Sequence, residues 1–225
     1  MATSRTDRET VLVEVDDVGV ATLTLNRPDQ LNAFTPQMDR EFHETMWELE
    51  ADDAVRVIVV TGAGRAFCGG MDLSAGADAV FGEEAHEAHD SQFGIDSDRI
   101  AERSSFWRMR TPVIGAINGA AVGAGLTITM LFDIRFVAEE AKLGFVFTRR
   151  GVIPDANVTW LLPRLVGAGR ALDLLMSGRM FRGTDAVRYG LAQESAPASE
   201  LLAAATAYAR YLAINASPAT VAATK

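Results

Sequence analysis

Two apolar runs that pass directly into glycine-rich loops constrain this chain more than any other feature. Val55–Thr61 is apolar throughout apart from Arg56, and ends in Gly62-Ala63-Gly64-Arg65-Ala66-Phe67-Cys68-Gly69-Gly70-Met71-Asp72-Leu73. Thr111–Ile117 has the same character and leads into Asn118–Gly125. A short run with no polar face suits a strand covered on both sides, as in a parallel sheet packed within an α/β domain. Glycines at the end of such a strand let the backbone approach a ligand closely, so that free N–H groups can point at an anionic oxygen. Met71 follows Gly69-Gly70, and Ala124 lies between Gly123 and Gly125 at the entrance to a helix over Leu126–Leu131. An N–H from each, converging on one point, would make an oxyanion hole. Tight turns alone would also account for the glycines.

The rest of the chain reads as an α/β core with a helical tail. Thr10–Val15 and Val20–Leu25 alternate apolar and polar residues around Asp16–Gly19, which predicts a hairpin. Thr35-Pro36 supplies an N-cap and a first-turn proline for a helix carrying Met38, Phe42, Met46 and Leu49. Ser74 to Asp98 has weak periodicity and reads as a mobile surface segment, and Asp98–Arg110 reads as a helix. Asp133–Ala138 and Lys142–Phe147 are predicted strands. Helices follow over Ala156–Leu165, Gly169–Met176, Thr184–Gly190 and Ser199–Ile214, with Ser217 as the N-cap of one more.

Composition excludes several classes. With 225 residues, 48% hydrophobic, the chain can bury a substantial core. A net charge of −9 argues against nucleic acid or an anionic membrane as partner. Cys68 is the only cysteine, so no intrachain disulfide forms and a reducing, cytoplasmic setting fits. The N-terminus has no apolar signal-peptide core. Thr111–Phe132 carries no charge and is long enough to span a bilayer, but Pro112, Asn118 and its glycines make it strand, loop and helix instead.

Nucleotide motifs fail on inspection. The third glycine of a dinucleotide fingerprint starting at Gly62 would fall on Phe67, neither loop ends in Gly-Lys-Ser/Thr, and there is no G-x-S-x-G elbow. Ala66-Phe67-Cys68-Gly69-Gly70-Met71-Asp72-Leu73, however, resembles the A-F-x-x-G-x-D-L signature of the crotonase (enoyl-CoA hydratase/isomerase) superfamily. Leu25-Asn26-Arg27-Pro28 with Leu31-Asn32-Ala33, Ala116–Gly125 with Asp133, Gly151-Val152-Ile153-Pro154 and Leu162–Gly167 resemble its other blocks, in order, from about Val11 to Leu191. The resemblance implies a crotonase-type spiral of ββα units over residues 1–195, and the start of a C-terminal helical trimerisation region, incomplete here, over 196–225.

It also implies an acyl-CoA thioester as substrate, CoA being part of that substrate rather than a cofactor, with no metal. The thioester carbonyl would be held by the N–H groups of Met71 and Ala124, and the nucleotide part of CoA by main chain near Gln30, Leu31, Ala33 and Gly69. A homotrimer or dimer of trimers is the implied assembly.

Departures from the pattern narrow the chemistry. The two glutamates that hydratases of this family use fall at Thr127 and Phe147, neither a general base at neutral pH. A third acidic position is occupied by Asp155, which also suits a helix N-cap. The implied reaction is double-bond isomerisation with Asp155 carrying the proton. Hydration or hydrolysis with Asp155 as sole carboxylate, and a non-catalytic CoA-binding protein, are the alternatives. His86 and His89 read as solvated, His43 as surface or core, Cys68 as a packed residue and Asp72 as a loop brace. Arg149-Arg150 read as solvent-facing, and Trp107, Met109, Met130 and Trp160 as core.

Overall fold

The computed structural model describes residues 4–74, 106–154 and 157–225. Two sheets form its centre. The larger has seven strands in the order β1 (Ser4–Asp7), β2 (Val11–Val15), β3 (Val20–Leu25), β4 (Val57–Gly62), β6 (Val113–Ile117), β8 (Ile134–Ala138) and β11 (Glu194–Ala196). β2 and β3 pair antiparallel as the predicted hairpin, β1, which the sequence pattern does not announce, adds antiparallel to β2, and every pairing from β3 onward in this sheet is parallel. β4 and β6 are buried at every residue, the expected consequence of apolar side chains on both faces. The smaller sheet runs β10 (Phe181–Arg182), β9 (Lys142–Gly144), β7 (Ala120–Val122) and β5 (Ala66–Cys68).

The chain therefore climbs as a spiral. β4 leads to β5, β6 to β7 and β8 to β9, each turn giving one strand to each sheet. Parallel pairing of β5 with β7 and of β7 with β9 brings the ends of these short strands side by side.

Helix α1 (Pro36–Ala51) starts as predicted: the Thr35 side chain accepts a bond from the Met38 amide at 3.2 Å, and Met38, Phe42, Met46 and Leu49 are buried. After β7 comes α2 (Ala124–Thr127), which tightens into a 3₁₀ turn over Ile128–Leu131. Helices α3 (Val158–Val166), α4 (Ala168–Ser177), α5 (Gly183–Tyr189), α6 (Ala198–Asn215) and α7 (Pro218–Thr224) follow. α6 lies across the large sheet through Leu201, Ala205, Ala209 and Ala213, a stripe of mostly small residues at i, i+4 spacing that permits close approach. Arg210 pairs with Asp16 and Asp17 of the hairpin, and Arg56 donates to the Ala216 carbonyl.

Several expectations are corrected. β9 ends at Gly144 rather than Phe147, because Phe147 turns into a 3₁₀ segment over Thr148–Arg150. Ser217 sits at the N-cap of α7 but its hydroxyl makes no capping bond. Trp160 is 58% exposed instead of core, its indole stacked under the Arg164 guanidinium at 3.7 Å. The mobile-segment and helix assignments over 75–105, with His86 and His89, and the side chain of Trp107, lie outside the described residues. Among the described residues no helix is long and apolar enough to cross a membrane, and Thr111–Phe132 is strand, turn and short helix.

Candidate active site

The two glycine loops meet. At the end of β5, the segment Gly69–Met71 runs alongside residues 31–34. Gly69 donates to Leu31 O at 2.8 Å, Phe34 to Gly70 O at 2.8 Å and Asp72 to Phe34 O at 2.9 Å. In this parallel bridge between Phe34 and Met71, the Met71 amide necessarily points away from residue 34. Gly70 has φ +100°, and a Cβ there would lie 2.8 Å from Val122 O and 3.9 Å from Ala124 N. Gly125 is tighter still: a Cβ would stand 2.3 Å from Cys68 O. On the other loop, Gly123 (φ +54°) donates to Gly144 O at 2.9 Å and so aims the first turn of α2. Neither the Met71 nor the Ala124 amide donates to an acceptor among the described residues. Two unengaged amides on touching loops can together hold one carbonyl or oxyanion.

Polar side chains lock this arrangement. Asn32 is fully buried with φ +54°; it accepts from the Arg27 amide at 2.8 Å and donates to Ala63 O and Ala66 O at 2.9 and 2.8 Å. Asn118 does the same for β4, accepting from the Gly62 amide at 3.1 Å and donating to Gly62 O and Gly64 O. Arg27 reaches Ala33 O and pairs with Asp72 at 3.0 Å. Hydrogen bonds from Ser74 and Arg27 hold the Asp72 carboxyl below its ordinary range, so Asp72 serves as a brace. The sequence pattern does not single out Asn32 or Asn118 as a brace; a lone asparagine beside an apolar strand and a glycine turn is the signal it offers.

Gln30, Leu31, Ala33 and Gly69 all lie on these two segments. Their amides are already engaged, with Arg27 O, Pro28 O, Gln30 O and Leu31 O respectively. A nucleotide bound there would meet main-chain carbonyls and the exposed Gln30 side chain rather than free N–H groups of these four residues.

The remaining candidates divide clearly. Thr127 is buried and its hydroxyl donates to Ala124 O at 3.1 Å; Phe147 is buried as well. Asp155 lies outside the described residues. The N-cap position of α3 belongs to Asn157, in the left-handed region at φ +57° and without a side-chain cap bond, not to Asp155. Burial pushes the Cys68 thiol up to about 12, against weaker opposing contacts from Gly70 and Phe34, so it is an inert packed residue. His43 stacks on Phe106 at 5.3 Å and bonds Asp39 O through Nδ1 at 2.8 Å. Arg149 and Arg150 are exposed. No cluster of metal-binding side chains occurs among the described residues. A cavity of about 280 Å³ between Glu50, Arg110 and α7 opens at the starts of β4 and β6, the opposite end of these strands from the glycine loops.

Comparison with known proteins agrees with this architecture. The spiral is the crotonase fold: a probable enoyl-CoA hydratase/isomerase from Mycobacterium abscessus superposes with a TM-score of 0.83 at 37% identity, covering 98% of this chain and 80% of that one. An enoyl-CoA hydratase, EchA12_1, from Mycobacterium marinum gives 0.78 at 37% identity, covering 96% and 95%. The enoyl-CoA hydratase/isomerase family model matches residues 16–225, and the chain belongs to that family. Similar curated proteins include the enoyl-CoA hydratase ACTT3 of Alternaria alternata, 40% identical over 205 residues, 90% of this chain. The 1,2-epoxyphenylacetyl-CoA isomerase of Escherichia coli is 36% identical over 195 residues, 87% of this chain. The chain spans 66% of the length of the first and 73% of the second.

Proposed function

We propose that this protein is an acyl-CoA enzyme that holds a thioester carbonyl on the Met71 and Ala124 amides and shifts a double bond by proton transfer. The observation that carries this reading is the meeting of the two loops, where both amides lack an acceptor among the described residues. Asp155 is the proton carrier. Its carboxylate removes a proton from the carbon beside the thioester, the resulting negative charge moves onto the carbonyl oxygen, and the Asp155 carboxyl, whose proton exchanges with solvent, delivers one proton to the far end of the conjugated system. Thioester and proton are both recovered, so no water or redox partner is consumed. Two preorganised donors stabilise the enolate more than the neutral carbonyl, which is the condition for lowering the barrier. Thr127 and Phe147, buried and without an ionisable group, leave two-glutamate hydration without its bases. CoA would lie along Gln30–Ala33 and Gly69, and the assembly would be a cytoplasmic homotrimer or dimer of trimers.

A second reading, a CoA-binding protein without turnover, is favoured by the same loss of both glutamates. Proton NMR of a panel of acyl-CoA thioesters in deuterated buffer separates the two. Exchange beside the thioester, with double-bond migration, should fall by about 10²-fold or more in Asp155→Asn, the usual scale of a positioned acid–base group. Binding without exchange across the panel would establish the non-catalytic role. Water addition to an enoyl-CoA would make the protein a hydratase with Asp155 as its sole carboxylate.

A further inference from the structure

Arg135 is a buried cation with an unusual set of partners. It sits on β8, opposite Gly115 of β6, and is 2% exposed. Its guanidinium donates to main-chain carbonyls: Phe132 O at 2.6 Å, Thr129 O at 3.0 Å and Leu191 O at 2.7 Å. No carboxylate pairs with it among the described residues, and Asp133 is engaged instead with Lys225 and with the Val113 amide. Burial lowers its pKa to about 10, against a weaker pull from Asp133, and it stays charged at neutral pH. A buried charge held by neutral carbonyls alone is costly.

Two of these carbonyls, Thr129 O and Phe132 O, lie at the end of the segment that begins with Ala124, and the third, Leu191 O, ties the guanidinium to the loop before β11. α2 is a single turn continued by a 3₁₀ turn, and its N-cap, Gly123, offers no side chain. So short a helix has little rigidity of its own, and its place depends on tertiary anchors. At the amino end these are the Gly123–Gly144 bond and the contact of Gly125 with Cys68. At the other end the anchor is Arg135, itself fixed by parallel pairing on both sides of β8 and by an exchange of bonds with Gln193.

We propose that Arg135 is a positioning residue for the Ala124 amide, clamping the Ala124–Leu131 segment from its carboxyl end. This inference rests on the reading of Met71 and Ala124 as donors to the thioester carbonyl. Isotope-edited infrared spectroscopy of a bound acyl-CoA carrying a ¹³C-labelled thioester carbonyl measures hydrogen bonding at that oxygen directly. The wild-type protein should shift the bound carbonyl band to lower frequency than in free ligand. Arg135→Lys keeps the charge but cannot span the same carbonyls, and should lose half or more of that shift. Displacement approaching 1 Å should lower kcat about tenfold to hundredfold while KM stays within about threefold.

Gly115→Ala is the second variant, should Arg135→Lys not fold. Its Cβ would lie 2.9 Å from the Phe132 ring, disturbing the residue Arg135 holds while leaving the charge in place. It should lose part of the band shift. Variants that keep the full shift while only thermal stability falls would overturn the proposal and leave Arg135 a purely structural residue. A wild-type band unshifted from free ligand would remove the carbonyl-donor reading itself, and this inference with it.

Discussion

Replacing Gly125 by alanine is the sharpest test of how the two loops are joined. The added methyl would lie 2.3 Å from Cys68 O and 2.7 Å from both Cys68 Cβ and Sγ, where ordinary contact begins at 3.4 Å. Cys68, the last residue of β5, is fully buried and cannot swing away, so the loops themselves must part by about 1 Å. Overpacking of this kind destabilises by about 1–3 kcal/mol. The same movement separates the amides of Met71 and Ala124, and a misplacement near 1 Å costs about 10²-fold in rate. Gly169→Ala is the control: nothing lies within 4 Å of its Cβ position on α4. That change should be neutral or stabilising by about 0.4–1 kcal/mol. Thermal denaturation, with turnover on an acyl-CoA that the wild type converts, reads both effects. A Gly125→Ala protein with wild-type melting temperature and wild-type turnover would refute the contact between the loops on which the site depends.

Asn32→Ala strips the half-buried Arg27 amide of its acceptor and the Ala63 and Ala66 carbonyls of their donor. Urea denaturation should show a loss of about 2–4 kcal/mol, and a loss below about 1 kcal/mol would mean that water replaces the amide. Glu50→Gln tests a pH-dependent brace. Burial raises the Glu50 pKa, but hydrogen bonds from the Arg110 and Thr111 amides outweigh it and hold the carboxyl below its ordinary 4.5. A carboxylate with a lowered folded-state pKa contributes stability that is complete above the unfolded value and disappears as pH falls through the folded one. The wild type should therefore exceed Glu50→Gln by about 1–2 kcal/mol at pH 7. The gap should close well below pH 4.5 in parallel thermal melts; a gap independent of pH would show that the carboxylate charge is not what matters.

Much of the scaffold was legible in the residues themselves. The hairpin, the Thr35 cap and the buried face of α1 follow from alternation and spacing, which are local properties. β4 and β6 were visible as runs with no polar face, and the loops after them as glycine-rich; Gly70 and Gly125 are among the positions there without room for a side chain. β5, β7, β10 and β11 were not visible. Each is two or three residues long, too short for any period to register, and exists only because a distant strand pairs with it. Trp160 was misplaced for a related reason, since an aromatic residue at helical spacing does not say which face of its helix meets the core.

The sequence by itself thus determined where the chain is rich in glycine and that Thr127 and Phe147 carry no ionisable group, because glycine content and residue identity are local facts. Only the tertiary structure decided that the two loops touch, that the amides around Gln30–Ala33 are already engaged, and that Arg135 holds the far end of the Ala124 segment. Those relations join residues far apart in the chain, and the parallel pairing of short strands in the smaller sheet creates the meeting of the loops.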